Sequence, residues 1–430
     1  MQCGVVHDIL LDENKFLVKG DVMKKLFVKH FGPITGEIEL DTSKSLTILI
    51  GEQGTGKSTL SKLVFYFETA LYRLCDYILE ERSKGREAKE PGIKQHLRED
   101  FESWLTPNGT KCKSIKCYDD PSLHTVISAN NKYVVDIETI PNRENEYNQL
   151  FSSLLSKADV TNLYKSSKCV YIPADRSFFP KILDSFNATF NYPIEAYSNH
   201  FLRFISTIRS CVGNNLEVAL DKHAASLTEE NMVIGRKLID LYKRIYKGTY
   251  AYRTREYIIV NKNITVPLVN ASSGQQAANY LLLTLFYIFL KQEPYLIIVE
   301  EPEAHVFPAG QELIMEFIVQ VVNATGSRAI ITTHSPYILT ATNPLILRAK
   351  VAKETRIKDH RVLAGAQIEG DNVNALFLYR EKNNVLKHKN IKMDLKMIDI
   401  SDIDGASNII NKKVTDIIQL GGQHGINFDM

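Results

Sequence analysis

No apolar run in this 430-residue sequence reaches the length of a membrane span. The longest candidate, Tyr280 to Leu290, falls well short and suits a buried helix better. Paired cysteines are also missing. Cys3, Cys75, Cys112, Cys117, Cys169 and Cys211 are scattered without Cys-x2-Cys spacing, which argues against a disulfide framework and for reduced thiols in a cytoplasmic protein. Cys112 and Cys117 could form half of a zinc site, but no second pair accompanies them. Charge of one sign is lacking too: 52 Lys and Arg against 50 Asp and Glu leave a formal net charge of +2. That balance predicts no bulk attraction to nucleic acid or membrane, so any basic patch must be local. There is no internal repeat, no low-complexity segment, no heptad pattern long enough for a coiled-coil arm, and no secretion signal is expected.

What remains is ordinary globular composition, 44% hydrophobic and 24% charged, on a chain long enough for two or three domains or one large domain with insertions. The sequence is organised around Gly51-Glu52-Gln53-Gly54-Thr55-Gly56-Lys57-Ser58-Thr59. Thr47 to Ile50 before it reads as a buried strand, and Leu60 to about Leu74 after it carries apolar residues at helical spacing. Strand, glycine-rich turn and helix form the context that Gly-x4-Gly-Lys-Ser needs to bind a nucleoside triphosphate. Glycines let successive amides turn toward phosphate oxygens, and the helix N-terminus adds partial positive charge. Lys57 would reach the β- and γ-phosphates, and the Ser58 hydroxyl would sit on Mg²⁺.

Three distant stretches are expected to converge on this loop. Leu296 to Glu301 is an apolar strand tipped by two carboxylates. Lying beside the loop strand, it would bring Glu300 near Mg²⁺ and Glu301 to the place of an attacking water. Ser272-Ser273-Gly274-Gln275 precedes an apolar helix and reads either as a helix cap or as a second anion cradle, one that would act on a γ-phosphate held by another subunit. Ile330 to Thr333 is a strand ending in His334, placed to sense the γ-phosphate or the water.

These motifs divide the chain. Residues 1–23 read as an extension, and 24–180 as the first part of a nucleotide-binding head that opens with a short antiparallel pair. Residues 181–255 form a helical insertion or arm, with helices such as Phe201 to Ile208 and Val233 to Tyr246. Residues 256–347 return to the head, and 348–430 are a tail with one or two strands and a final helix near 403–419. Another helix is expected over Asn148 to Leu163.

Phosphate loop, Ser-Ser-Gly-Gln, Glu-Glu-Pro-Glu-Ala-His and Thr-Thr-His-Ser-Pro occur in the order of ABC-type ATPase heads, over roughly residues 24–80 and 168–345. The wording resembles the branch that includes OLD-family nucleases and the RecF/SMC group. The resemblance implies an α/β ABC-type head, a P-loop core sheet with an antiparallel β subdomain and an inserted helical lobe. It implies ATP and Mg²⁺ as cofactors, with Ser58 and Glu300 at the metal and Glu301 as the catalytic glutamate. It further implies His334 as the switch histidine, Ser273 and Gly274 acting in trans, and an ATP-dependent homo-oligomer, at least a dimer.

Departures limit it. Glu300 stands where many relatives carry aspartate, and Pro173-Ala174-Asp175-Arg176 occupies the place of the Q-loop glutamine. No Toprim nuclease module is visible, and Asp399, Asp402 and Asp404 read as caps and loop residues. Two functional classes stay open. One is a switch ATPase acting through a separate effector, similar to the ATPase component of PARIS-type anti-phage systems, with a Toprim-type nuclease partner and a phage trigger protein. The other is a RecF-like repair ATPase on DNA, for which the segment 348–396, with about twice as many basic as acidic residues, could contact phosphates.

Overall fold

The computed structural model describes residues 25–85, 90–105, 112–118, 125–129, 133–137, 168–184, 195–261, 263–355, 366–381, 384–391 and 397–398. The expectations for 1–23, the helix over 148–163, the aspartates 399, 402 and 404 and the helix near 403–419 lie outside these residues.

In chain order, β1 (Lys25–Phe31) and β2 (Ile34–Asp41) precede β3 (Leu46–Gly51), which feeds the glycine loop and α1 (Lys57–Ser83). Then come α2 (Glu90–Leu105), β4 (Cys112–Tyr118), β5 (Thr125–Ala129), β6 (Tyr133–Ile137) and β7 (Cys169–Ile172). The helices α3 (Phe179–Asp184), α4 (Ala196–Val212), α5 (Leu216–Lys222) and α6 (Glu229–Tyr246) follow. Strands β8 (Thr249–Tyr252), β9 (Glu256–Asn261) and β10 (Ile264–Pro267) lead into α7 (Ser273–Lys291). The last described elements are β11 (Leu296–Glu300), α8 (Pro308–Thr325), β12 (Arg328–Thr333), α9 (Pro336–Thr355), β13 (Val373–Arg380) and β14 (Leu386–Asn390).

Among the described residues six strands make the central sheet, in the order β14-β13-β3-β12-β11-β7, parallel except for the antiparallel strand β14. A parallel sheet is buried on both faces, so its strands are mostly apolar and buried along their length, as β3 and β11 are. Side-chain alternation then sorts them between two cores. Leu49, Tyr171, Ile298, Ile330 and Leu378 point to one face, against α1 and the hairpin β1–β2. Ile48, Ile50, Ile172, Val299 and Ile331 point to the other, against α4 to α9. Each fully buried Leu, Ile or Phe contributes roughly 1.5–3 kcal/mol. Helix α7 is buried all round from Gln276 to Leu290 and forms the spine of that second core. Helices α4, α5 and α6 share this core with α7 and α8, so the helical lobe is continuous with the sheet. Beside the sheet, β2-β1-β4 forms the antiparallel β subdomain, and β10-β9-β8 a second antiparallel sheet.

Two features depart from the sequence reading. Residues 373–390, within the segment set aside as a tail, enter the central sheet, with β13 directly beside β3. Helix α9 goes unanticipated because Pro344 sits in its interior, where proline deletes a hydrogen bond and crowds the preceding turn. Burial of Ile338, Leu339, Leu345 and Ile346 outweighs that cost.

Candidate active site

The glycine loop is set by backbone conformation and by close approach. Gly54 and Gly56 have φ of +74° and +87°, a region L-residues rarely enter. At Gly56 a Cβ would also lie 2.9 Å from Ile34 Cγ1. Thr55 Oγ1 donates to the Glu52 carbonyl (2.7 Å), closing the loop on itself. Lys57 is buried, and its Nζ donates to the Gly51 and Glu52 carbonyls, both at 2.8 Å. Burial lowers its pKa to about 8, opposed by the charges of Glu301, Glu303 and Glu52. Ser58 is exposed in the first turn of α1, where backbone N–H groups lack intrahelical partners. The loop is also braced by a residue the sequence did not point to. Arg380, at the end of β13, donates to the carbonyls of Gly54 (2.8 Å), Pro33 (2.7 Å) and Asn384 (3.2 Å).

The acidic strand does not adjoin the loop strand. β12 lies between β3 and β11, because lateral strand order is set by chain crossovers and not by local sequence. The strand tips still converge at one end of the sheet. Glu300 is buried; its Oε2 accepts a 3.4 Å hydrogen bond from the Ala174 N–H at the end of β7. Its Oε1 is buried with no hydrogen-bond partner, and so is Oγ1 of Thr332, its register partner on β12. Leaving such oxygens unpaired is costly. Two orphaned oxygens on adjacent strand tips are hard donors of the kind that suit a divalent cation such as Mg²⁺.

Glu301 turns sharply off β11. Its φ is +44°, left-handed backbone that costs about 1–2 kcal/mol for a residue with a Cβ. Hydrogen bonds on both sides hold it there: its N–H donates to the Thr332 carbonyl (2.8 Å), and its carbonyl accepts from Ala304 N–H (2.9 Å) and Arg176 Nη2 (2.8 Å). The result aims its carboxylate at His334, with Oε1 3.7 Å from Nε2. His334 Nδ1 is 3.5 Å from Lys57 Nζ. Burial and the Lys57 charge lower the His334 pKa against the pull of Glu301 and Glu303, so the imidazole is neutral at neutral pH. Lys57, His334 and Glu301 thus line up across the tips of β3, β12 and β11. Glu303, unassigned from the sequence, fixes the middle member: its Oε1 accepts from the His334 N–H (2.8 Å) and Thr333 Oγ1 (2.7 Å).

The Ser-Ser-Gly-Gln stretch divides its labour. Ser272 is the N-cap of α7, and Ser272 and Gln275 make a reciprocal capping box. Gln275 Nε2 also donates to the Tyr246 carbonyl (3.1 Å). Gly274 packs against the turn after Glu301, where a Cβ would lie 2.5 Å from the His305 carbonyl oxygen. Ser273 is exposed. Among the described residues no hydrogen bond or ion pair joins 272–275 to the phosphate loop of the same chain.

Residues 23–339, about three quarters of the sequence, match the family model AAA_15, an AAA ATPase domain. The chain belongs to this AAA ATPase family. Its activity is ATP hydrolysis. Among solved structures the ATPase is similar to an Smc head bound to the C-winged helix domain of ScpA, at 14% identity and TM-score 0.44 over 87% of this chain and 99% of that one. It is also similar to a Pyrococcus furiosus Smc head with an extended coiled coil bound to the C-terminal domain of ScpA, at 12% identity and TM-score 0.35 over 91% and 98%. An SMC head domain from Thermotoga maritima aligns at 10% identity and TM-score 0.35 over 86% and 99%. No curated protein matches the chain in sequence.

Proposed function

We propose that this ATPase is a cytoplasmic switch: it closes into a homo-oligomer around ATP and so controls a separate effector, a nuclease, in bacterial anti-phage defence. The observation that carries the switch is the line of Lys57, His334 and Glu301 on three adjacent strand tips, with His334 and Glu301 still part-exposed. In this reading the amides of Gly51 to Thr59 cradle the phosphates and Lys57 neutralises the β- and γ-oxygens. Ser58, Glu300 and Thr332 would hold Mg²⁺, which would offset phosphate charge. Glu301 orients and deprotonates the attacking water. Neutral His334 donates to the γ-phosphate or hydrogen-bonds the attacking water, and its distance to Glu301 reports whether that phosphate is present.

A second subunit completes the site. Ser273 and Gly274 stand at an open helix N-terminus, the end that favours anions. The pairing of Ser272 with Gln275 leaves Ser273 free for a neighbour's γ-phosphate. For the effector, support is indirect. Among the described residues no group of three His, Cys, Asp or Glu is placed to hold a metal ion, and none of the helices is long and apolar enough to cross a membrane. DNA binding as a repair ATPase is less favoured, because two arginines of the 348–396 segment are engaged within the chain: Arg348 lies 3.8 Å from Glu316, and Arg380 braces the loop.

Two assays test the proposal. With Mg-ATP, light scattering of Glu301→Gln should report a larger and longer-lived assembly than wild type; a strictly monomeric variant with ATP bound refutes the trans assignment. On plasmid, linear DNA and tRNA with Mg²⁺ or Mn²⁺, the pure ATPase should cut nothing, and cleavage should require the product of a neighbouring gene. Cleavage by the pure protein that vanishes in an Asp402→Ala, Asp404→Ala variant refutes the separate effector.

A further inference from the structure

Arg176 is the largest fully buried polar side chain among the described residues, with none of its surface exposed. It sits in a single 3-10 turn, Ala174–Phe178, directly after β7. A guanidinium buried this deeply needs partners for its donors, and the usual partner is a carboxylate. Arg176 has none in hydrogen-bond contact. Its hydrogen bonds all go to backbone carbonyls: Nη1 to Pro173 (3.0 Å) and Glu300 (2.8 Å), Nη2 to Glu301 (2.8 Å), and Nε to Ala277 (3.1 Å). The four carbonyls come from three segments remote in sequence: the end of β7, the tip of β11 and the first turns of α7.

Two of those carbonyls belong to Glu300 and Glu301. The peptide units Arg176 grips therefore set where the Glu300 carboxylate sits and how the left-handed turn at Glu301 aims its own. The same fork reaches the helix that Ser272 caps. Gly274 meets the His305 carbonyl at the far side of the same turn, so α7 and the segment 300–305 are held together at two points. A rigid planar fork suits this task, because its donors diverge at fixed angles, whereas an ammonium offers a single flexible point of attachment.

We infer that Arg176 is a positioning residue for ATP hydrolysis, clasping the backbone of Glu300 and Glu301 in working geometry and locking it to the first turns of α7. The inference rests on the reading of Glu301 as the water-activating residue. The phosphate loop lies outside the clasp, so nucleotide affinity is set independently of it.

The test compares wild type with Arg176→Lys, Arg176→Met and Glu301→Gln. ATP-binding sites are first counted with a non-hydrolysable ATP analogue, and turnover is expressed per titrated site, a ratio that loss of folded protein does not move. Arg176→Lys and Arg176→Met should bind the analogue within about threefold of wild type and turn over about a hundredfold more slowly per site, as displacement of a reacting group by an ångström does. Lysine should rescue no better than methionine, because fork geometry and not charge is required. Half-maximal turnover should also need more Mg²⁺, since the Glu300 carboxylate is no longer fixed. Wild-type turnover per site in either Arg176 variant overturns the inference. So does a variant that takes up no analogue, because Arg176 would then be needed for folding and not for positioning. If Glu301→Gln keeps full turnover, the reading of Glu301 fails instead, and the two failures are distinguishable.

Discussion

Replacing Gly274 by alanine places two physical effects in opposition. Near the start of a helix, alanine is the better residue, by up to about 1 kcal/mol. Helix propensity alone thus makes Gly274→Ala stabilising, and φ gives no reason against it, since Gly274 is not in left-handed backbone. The structure supplies the opposing term. A Cβ on Gly274 would lie 2.5 Å from the His305 carbonyl oxygen, deep inside van der Waals contact, and the obstacle is backbone and not a flexible side-chain end. Relieving it requires either the N-terminus of α7 or the turn 301–305 to move by several tenths of an ångström. Overpacking of this kind costs about 1–3 kcal/mol, which outweighs the propensity gain. The expected net loss, up to about 2 kcal/mol, corresponds to a fall in Tm of up to a few degrees in a domain of this size. Because the displaced turn carries Glu301, turnover should fall as well. Gly54→Ala is the control: nothing lies within 4 Å of its added Cβ, and only its φ of +74° resists. It should disturb nucleotide binding and leave the α7 contact intact. Thermal unfolding and steady-state ATP hydrolysis of both variants decide the matter. A Gly274→Ala protein with raised Tm and undiminished turnover would refute the claimed contact between the capped helix and the catalytic turn.

Other consequences follow from the charges at the site. In the free protein Lys57 loses its proton near pH 8, whereas bound phosphates hold it charged, so binding takes up a proton above that pH. ATP affinity should therefore be flat below pH 8 and fall above it by up to about tenfold per pH unit, measured by calorimetric titration; constant affinity from pH 8 to 9.5 contradicts the assignment. Glu303→Ala leaves the His334 N–H and Thr333 hydroxyl without their shared acceptor. It should slow turnover by roughly 10- to 100-fold, the usual range for loss of an outer partner at a metal-dependent site, while ATP affinity stays close to wild type. Equal losses in affinity and turnover would mean that Glu303 merely supports the fold.

Legibility from sequence followed the range of the interactions. The loop, its strand β3 and helix α1 are local, so residues 47–74 suffice to read them. The apolar runs of β11, β12 and α7 are equally local, and so is the capping box of Ser272 and Gln275, visible as one of two readings of a four-residue phrase. Strand order is not local. Nothing between residues 296 and 333 states that β12 separates β11 from β3, or that a strand 40 residues later flanks β3 on its other side. Arg176 was visible only as part of a stretch standing in for a missing glutamine, because its partners are carbonyls, which every residue carries. Arg380 gave no signal for the same reason. Helix α9 was hidden by Pro344, a local rule overridden by burial in the core.

Hydrolysis of ATP at the line of Lys57, His334 and Glu301 is the chemistry on which the proposed switch depends. Its most direct test is the single-turnover hydrolysis of Mg-ATP by Glu301→Gln, a change of one oxygen to an amide that leaves the left-handed turn and its backbone bonds in place. If Glu301 is the base, ATP binding stays close to wild type and the chemical step slows by about 10²- to 10⁴-fold, the usual worth of a positioned base. A chemical step at the wild-type rate, with ATP bound at the Lys57 loop, would contradict that role.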